Sequence, residues 1–251
     1  MIKANKYIMV IGIKGGVGKS IVSGSIALRL SENYNKRVAF VDCDIASSNT
    51  VDVLKIASNV KMTYTPGANK LVAVRVNKNL FVSSMSLFMD NITSSFVTKS
   101  AQFSQIVKDF ICSTVYDYND ADFDFAIFDV PAGSGDETET VISILKKKNL
   151  SAIIVTQPNT IVDFRRAVDL CRRCCVPVIG VVINMYKTLT ESGCSAVCPK
   201  TGKEYIPFSV KGIDKYLESN QFKNVWRIPL IENFSLSKIC NYVDNIIKEV
   251  I

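Results

Sequence analysis

The run Ile13-Lys-Gly-Gly-Val-Gly-Lys-Ser20 constrains this chain more than any other feature. An apolar run, Tyr7-Ile-Met-Val-Ile-Gly12, precedes it, and a segment of helical period, residues 21–30, follows. A strand that feeds a glycine-rich turn at a helix N-terminus aims several backbone N–H groups at one point, where the helix dipole also favours negative charge. The expected product is a cradle for phosphate. Gly15, Gly16 and Gly18 are expected to turn through positive φ and bring the backbone up to phosphate oxygens without a Cβ in the way. The same spacing predicts that Lys19 reaches the β- and γ-phosphates of ATP and that the Ser20 hydroxyl coordinates magnesium. Lys14, Val17 and Ile21 complete the stretch expected to line the nucleotide.

At 251 residues, with 48% apolar and 21% charged, the chain suits one large α/β domain over residues 1–251. No run approaches the roughly eighteen uninterrupted apolar residues of a membrane span, and the first strand begins too near Met1 for a signal peptide. A soluble, cytoplasmic protein is expected. Eight cysteines in that setting read as thiols, metal ligands or buried small residues rather than a disulfide framework. The net charge of +7 is moderate, and Lys146-Lys-Lys148, Arg165-Arg166 and Arg172-Arg173 read as solvated faces rather than a nucleic-acid surface. Histidine is absent, so a metal site must use cysteine and carboxylate.

Short β-branched runs recur at 37–41, 80–83, 125–128, 152–155, 178–183 and 226–228, with helical stretches between them. Alternation of this kind predicts a mostly parallel sheet, and the continuous apolarity of the runs predicts helices on both of its faces. Ligands of such sheets sit at the C-terminal strand ends. There the chain places Asp42-Cys-Asp44 and Asp129-Val-Pro-Ala-Gly-Ser-Gly-Asp136. Carboxylates at strand ends suit a magnesium nucleotide: Asp129 reads as the acid that holds the metal directly or through water, with Asp42 supporting it. The least regular stretch, 185–209, reads as a long loop, a place where function concentrates.

A lysine directly before Gly-Gly-x-Gly-Lys-Ser resembles the deviant Walker A of the MinD, ParA, nitrogenase iron protein and Mrp ATPases. The resemblance implies a three-layer P-loop NTPase fold and a homodimer in which Lys14 reaches the phosphates bound by the other subunit. It also implies that Asp44 orients the attacking water. Residues 129–137 are similar to the Asp-x-Pro-Pro-Gly-Thr-Gly-Asp-Glu switch of the Mrp/ApbC-type iron–sulfur carriers. Collinear echoes are Ser84-Met-Ser86, 105–110, Thr156-Gln-Pro158, Gly180-Val-Val-Ile-Asn-Met185 and Ile228-Pro-Leu230. By the same resemblance Asn184 hydrogen-bonds adenine, and the chain is a slow ATPase that delivers a 4Fe-4S cluster to apo-proteins.

Members of that family follow Asn-Met with Cys-x-x-Cys, and two subunits share one cluster through these thiolates. Here Cys198-Pro-Lys-Thr-Gly-Lys-Glu204 places Thr201 where the second cysteine stands, and Cys194 lies four residues upstream. Cys194 and Cys198 are therefore the candidate cluster ligands. Cys171, Cys174 and Cys175, at helical spacing, read as a buried face, and Cys43, Cys112 and Cys240 as core. Two further departures are Ile21, in place of a hydroxyl residue, and Ala132, in place of the second switch proline. Competing readings are a MinD- or ParA-like positioning switch on membrane or DNA, and a maturation ATPase for a nickel enzyme. The C-terminal segment 236–250 is amphipathic but poor in basic residues, which predicts packing on the sheet rather than on a membrane.

Overall fold

Apolar runs joined by helical crossovers pair in parallel, because a crossover returns the chain to the same end of the sheet from which each strand began. The computed structural model describes residues 1–44, 48–65, 70–88, 100–116, 122–133, 135–190, 192–205, 207–208, 211–231 and 236–251. Its strands are β1 (Ala4–Ile11), β2 (Val38–Asp42), β3 (Thr63–Tyr64), β4 (Leu71–Val72), β5 (Val74–Arg75), β6 (Leu80–Ser83), β7 (Phe123–Asp129), β8 (Leu150–Thr156), β9 (Val178–Leu189) and β10 (Val225–Ile231). Its helices are α1 (Lys19–Glu32), α2 (Thr50–Val53), α3 (Ser100–Ser113), α4 (Asp136–Leu145), α5 (Ile161–Arg173), α6 (Lys211–Ser219) and α7 (Leu236–Val250).

Eight strands form one sheet in the order β10-β9-β8-β1-β7-β2-β6-β5, and β3 with β4 makes a separate antiparallel ribbon. Every neighbouring pair in the large sheet is parallel except β5 with β6. β2 is buried throughout, as are most of β7 and β8, so helices cover both sheet faces. The three-layer α/β architecture expected from the sequence is present. Phe40 and Phe128 lie wholly inside the core; truncating either to alanine would cost about 3–5 kcal/mol.

α7 buries Ile239, Val243, Ile246, Ile247 and Val250 and packs on α1 and β10, as its pattern predicts. Arg29 of α1 donates to Asp244 at 2.9 Å across that contact and holds the Asp244 carboxyl below its ordinary value. No helix among the described residues is long and apolar enough to cross a membrane.

Three expectations need correction. The stretch 185–209 is not simply a loop: β9 runs on to Leu189, and Thr188 and Leu189 pair with Leu230 and Ile231 beyond a register shift. Backbone bridges Leu189 to Ser195 and Val197 to Glu204 then fold the chain into an arm. The cysteines of α5 do not form one buried face. Cys171 is buried, but the helix stops at Arg173 and Cys175 takes a left-handed φ of 56°, which turns it into solvent while Cys174 stays half-buried. Cys43 is core and Cys112 only half-buried, while the Cys240 side chain lies outside the described residues, as does Ser134 of the switch.

Candidate functional site

β1 ends at Ile11 and α1 starts at Lys19, so residues 12–18 turn above the carboxyl end of the central strand. Gly16 and Gly18 take φ of 74° and 93°, which side chains rarely adopt. Gly15 does not turn through positive φ, contrary to expectation; its lack of a side chain leaves open space on the exposed lip instead. The first turn of α1 has no side-chain cap and no acidic residue, so its N–H groups face an incoming anion without a competing carboxylate. Lys19 is 8% exposed, Val17 is buried, Ser20 and Ile21 are half-buried, and Lys14 stands exposed on the loop.

Two amides, one from within β9 and one just past β8, hold the loop from behind. Asn184 of β9 donates from Nδ2 to the Val17 carbonyl at 2.9 Å. Gln157, just past β8, donates from Nε2 to the Gly16 carbonyl at 3.2 Å and to the Met185 sulfur at 3.0 Å. The fit is close: a Cβ on Gly18 would fall 2.2 Å from Asn184 Nδ2. Met185 itself takes a φ of 57°, a strained value within β9. Sequence reasoning placed Asn184 at the nucleotide but gave Gln157 no part. The signal available was its position one residue past a strand that borders β1.

The acids converge on the other side. Asp42 and Asp129 occupy the last register position shared by β2 and β7. Burial raises the Asp129 carboxyl from 3.8 to about 7, and the Asp42 charge adds to this; a hydrogen bond from the Ser20 hydroxyl and the Lys19 charge act in the opposite direction. Asp129 Oδ1 is buried without a hydrogen-bond partner among the described residues. An orphaned carboxylate oxygen beside the Ser20 hydroxyl, in a field made more negative by Asp42 and Asp44, suits a hard divalent cation.

Asp42 is satisfied instead. Its Oδ2 accepts from the hydroxyls of Ser48, Thr50 (2.6 Å) and Ser84 (2.9 Å), and its Oδ1 accepts from the Asp44 N–H at 3.0 Å. Burial still raises its carboxyl above the ordinary value. Asp44 is half-buried next to this pair, and its charge, after burial, raises Glu137 at the start of α4. Burial first, and the three aspartates after it, push the Cys43 thiol well up.

The arm beyond β9 carries the remaining candidates. Cys194 is exposed and Cys198 partly so. The Cys198 carbonyl accepts from the N–H groups of Thr201 at 3.2 Å and Gly202 at 2.8 Å, closing a tight turn. Within it the Thr201 hydroxyl, followed by the N–H groups of Lys200 and Thr201, holds the Cys198 thiol below its ordinary value. The residue in place of the second cysteine thus stabilises the thiolate of the first. Among the described residues no group of three or more cysteine and carboxylate side chains is arranged to hold a metal ion.

Comparison with known proteins agrees with this geometry. The ParA family, described as NUBPL iron-transfer P-loop NTPases, matches residues 3–248. A cytosolic Fe-S cluster assembly factor NUBP2 homolog of Trichoplax adhaerens is 30% identical over 207 residues, covering 80% of this chain and 76% of that protein. The corresponding Nubp2 homolog of Aedes aegypti is 33% identical over 186 residues, covering 73% and 70%. Among solved structures, a nucleotide-binding protein from Archaeoglobus fulgidus in complex with ADP superposes with a TM-score of 0.69 at 20% identity, over 96% of this chain and 87% of that one. With strand order, phosphate loop and switch acids in place, and a match over nearly the whole length, the chain belongs to the ParA-type family of NUBPL iron-transfer P-loop NTPases.

Proposed function

We propose that this chain is a cytosolic, magnesium-dependent ATPase that works as a homodimer and carries an iron–sulfur cluster to apo-proteins. One observation carries the reading: β9 holds Asn184 against the phosphate loop and, ten residues later, starts the turn region with Cys194 and Cys198. β9 carries the chain from Asn184 to Leu189, five residues short of Cys194, which places the cysteine arm next in sequence to the nucleotide end of the site.

The backbone N–H groups of residues 15–20 bind the phosphates, and Lys19 neutralises the β- and γ-charges. Asn184 orients the adenine end. Ser20 and Asp129 would hold magnesium, which when bound supplies Lewis-acid stabilisation of phosphate charge. Asp44 orients the attacking water, and Asp42 stands in the outer surroundings of the metal, since its lone pairs are given to other donors. Lys14 reaches the phosphates of the partner subunit. Two thiolates per subunit, four per dimer, complete the ligand set of a 4Fe-4S cargo.

A positioning switch on membranes finds less support here, because α7 spends its described apolar face inside the chain. The test is transfer. After anaerobic loading with iron and sulfide, the protein should pass cluster to an apo-ferredoxin, with a rate that depends on magnesium-ATP. ATP turnover without any cluster uptake or transfer, together with salt-sensitive DNA binding, would reject the carrier in favour of a positioning ATPase.

A further inference from the structure

The buried carboxylate of Asp42 is tied to more partners than packing requires. Ser48 and Thr50 approach it from the chain just beyond β2, Ser84 from the chain just beyond β6, and the Asp44 N–H from two residues on. The serines are also linked to one another: Ser48 to Ser84 at 2.8 Å, Ser48 to Ser86 at 2.9 Å, and Ser84 to Ser86 at 2.8 Å. Thr50 and Ser84 are themselves almost wholly buried. A charged group in a dry site is costly unless every lone pair is matched, and an apolar residue would fill the same space at lower cost. The matched donors set the orientation of the carboxylate.

We infer that Ser84, with Ser48 and Thr50, forms a hydroxyl clasp on Asp42 that positions Asp44 for ATP hydrolysis. The four donors leave Asp42 fixed in one rotamer, and its Oδ1 fixes the Asp44 amide in turn. Both described flanks of the segment 44–48 are thereby tied to one carboxylate. Ser84 ties that carboxylate to the neighbouring strand, so the backbone that bears Asp44 is referenced to the sheet. These residues act through Asp42, to which their hydroxyls are bonded. They are positioning residues, and their contribution falls on turnover rather than on nucleotide affinity.

The kinetic arm of this inference rests on the ATPase reading; the structural arm does not. Ser84→Ala in the full chain should lower kcat roughly tenfold with KM for magnesium-ATP changed less than about twofold, and Ser84→Thr should restore most of the loss. In the same variant the Asp44 amide should exchange hydrogen roughly tenfold faster, with the amides of β7 unchanged. Ser48→Ala gives the same two readings should Ser84→Ala fail to fold. A variant whose KM rises while kcat holds, or whose Asp44 amide stays as protected as in wild type, would overturn the clasp. If wild type shows no ATP turnover, the ATPase reading fails, and the exchange of the Asp44 amide alone decides the positioning claim.

Discussion

Asp42 and Asp129 sit side by side at the end of β2 and β7, yet the first has both its oxygens satisfied and the second keeps one buried oxygen without a partner among the described residues. The difference has a measurable consequence for stability. In the metal-free chain Asp129 is pushed up to about 7 from 3.8, chiefly by burial and then by the Asp42 charge. Between those values the folded state holds a proton that the unfolded state has lost, so stability falls as pH rises from about 4 to 7 and stays low above. Asp129→Asn should remove this penalty, gaining roughly 1–3 kcal/mol at pH 8 without magnesium, and should abolish magnesium-dependent nucleotide binding. Thermal unfolding at pH 6 and pH 8, with and without magnesium, checks both. A variant no more stable than wild type at pH 8 would contradict the orphaned carboxylate.

The two loop lysines should separate cleanly. Lys19 is nearly buried against the acids, so Lys19→Ala should remove magnesium-ATP binding altogether, a loss of at least about a hundredfold in affinity. Lys14 is exposed on its own subunit, and Lys14→Ala should still bind ATP while losing nucleotide-dependent dimerisation and most turnover. Calorimetry and light scattering with a slowly hydrolysed analogue give the two readings. A Lys14 variant that dimerises and turns over like wild type would remove the cross-subunit role.

The phosphate loop, its lysines and the strand-end acids were legible because each is a contiguous run whose neighbours in sequence set its geometry. The Asp42 clasp was not. Ser84 reaches Asp42 from 42 residues away, and only the pairing of β6 with β2 brings them together. Gln157 was hidden in the same way, since its contact with Gly16 spans 141 residues. Cys175 was misplaced because α5 ends two residues before it, a boundary that helical spacing alone does not mark. The strand character of 184–189 was obscured because Asn184, Lys187 and Thr188 interrupt the apolar run that marks the first half of β9.

Thr201 offers a direct probe of the cysteine arm. Its hydroxyl is the foremost cause of the lowered Cys198 thiol, so Thr201→Val should raise that thiol toward its ordinary value and reduce the thiolate present at neutral pH. Alkylation of Cys198 at pH 7, with exposed Cys194 as the internal reference, should slow by about threefold. An unchanged rate would mean that the turn does not act on the sulfur. Thr201→Cys, conversely, should tighten cluster retention by completing a Cys-x-x-Cys pair.

Cluster stoichiometry tests the central claim most directly. Anaerobic reconstitution with iron and sulfide, followed by iron counting and light scattering, should give one 4Fe-4S cluster per two chains of wild type. The Cys194→Ser, Cys198→Ser double variant should retain none while binding ATP with unchanged affinity, and Cys174→Ser, Cys175→Ser should load like wild type. Absence of iron from reconstituted wild type, or its full retention by the Cys194→Ser, Cys198→Ser variant, would contradict the account.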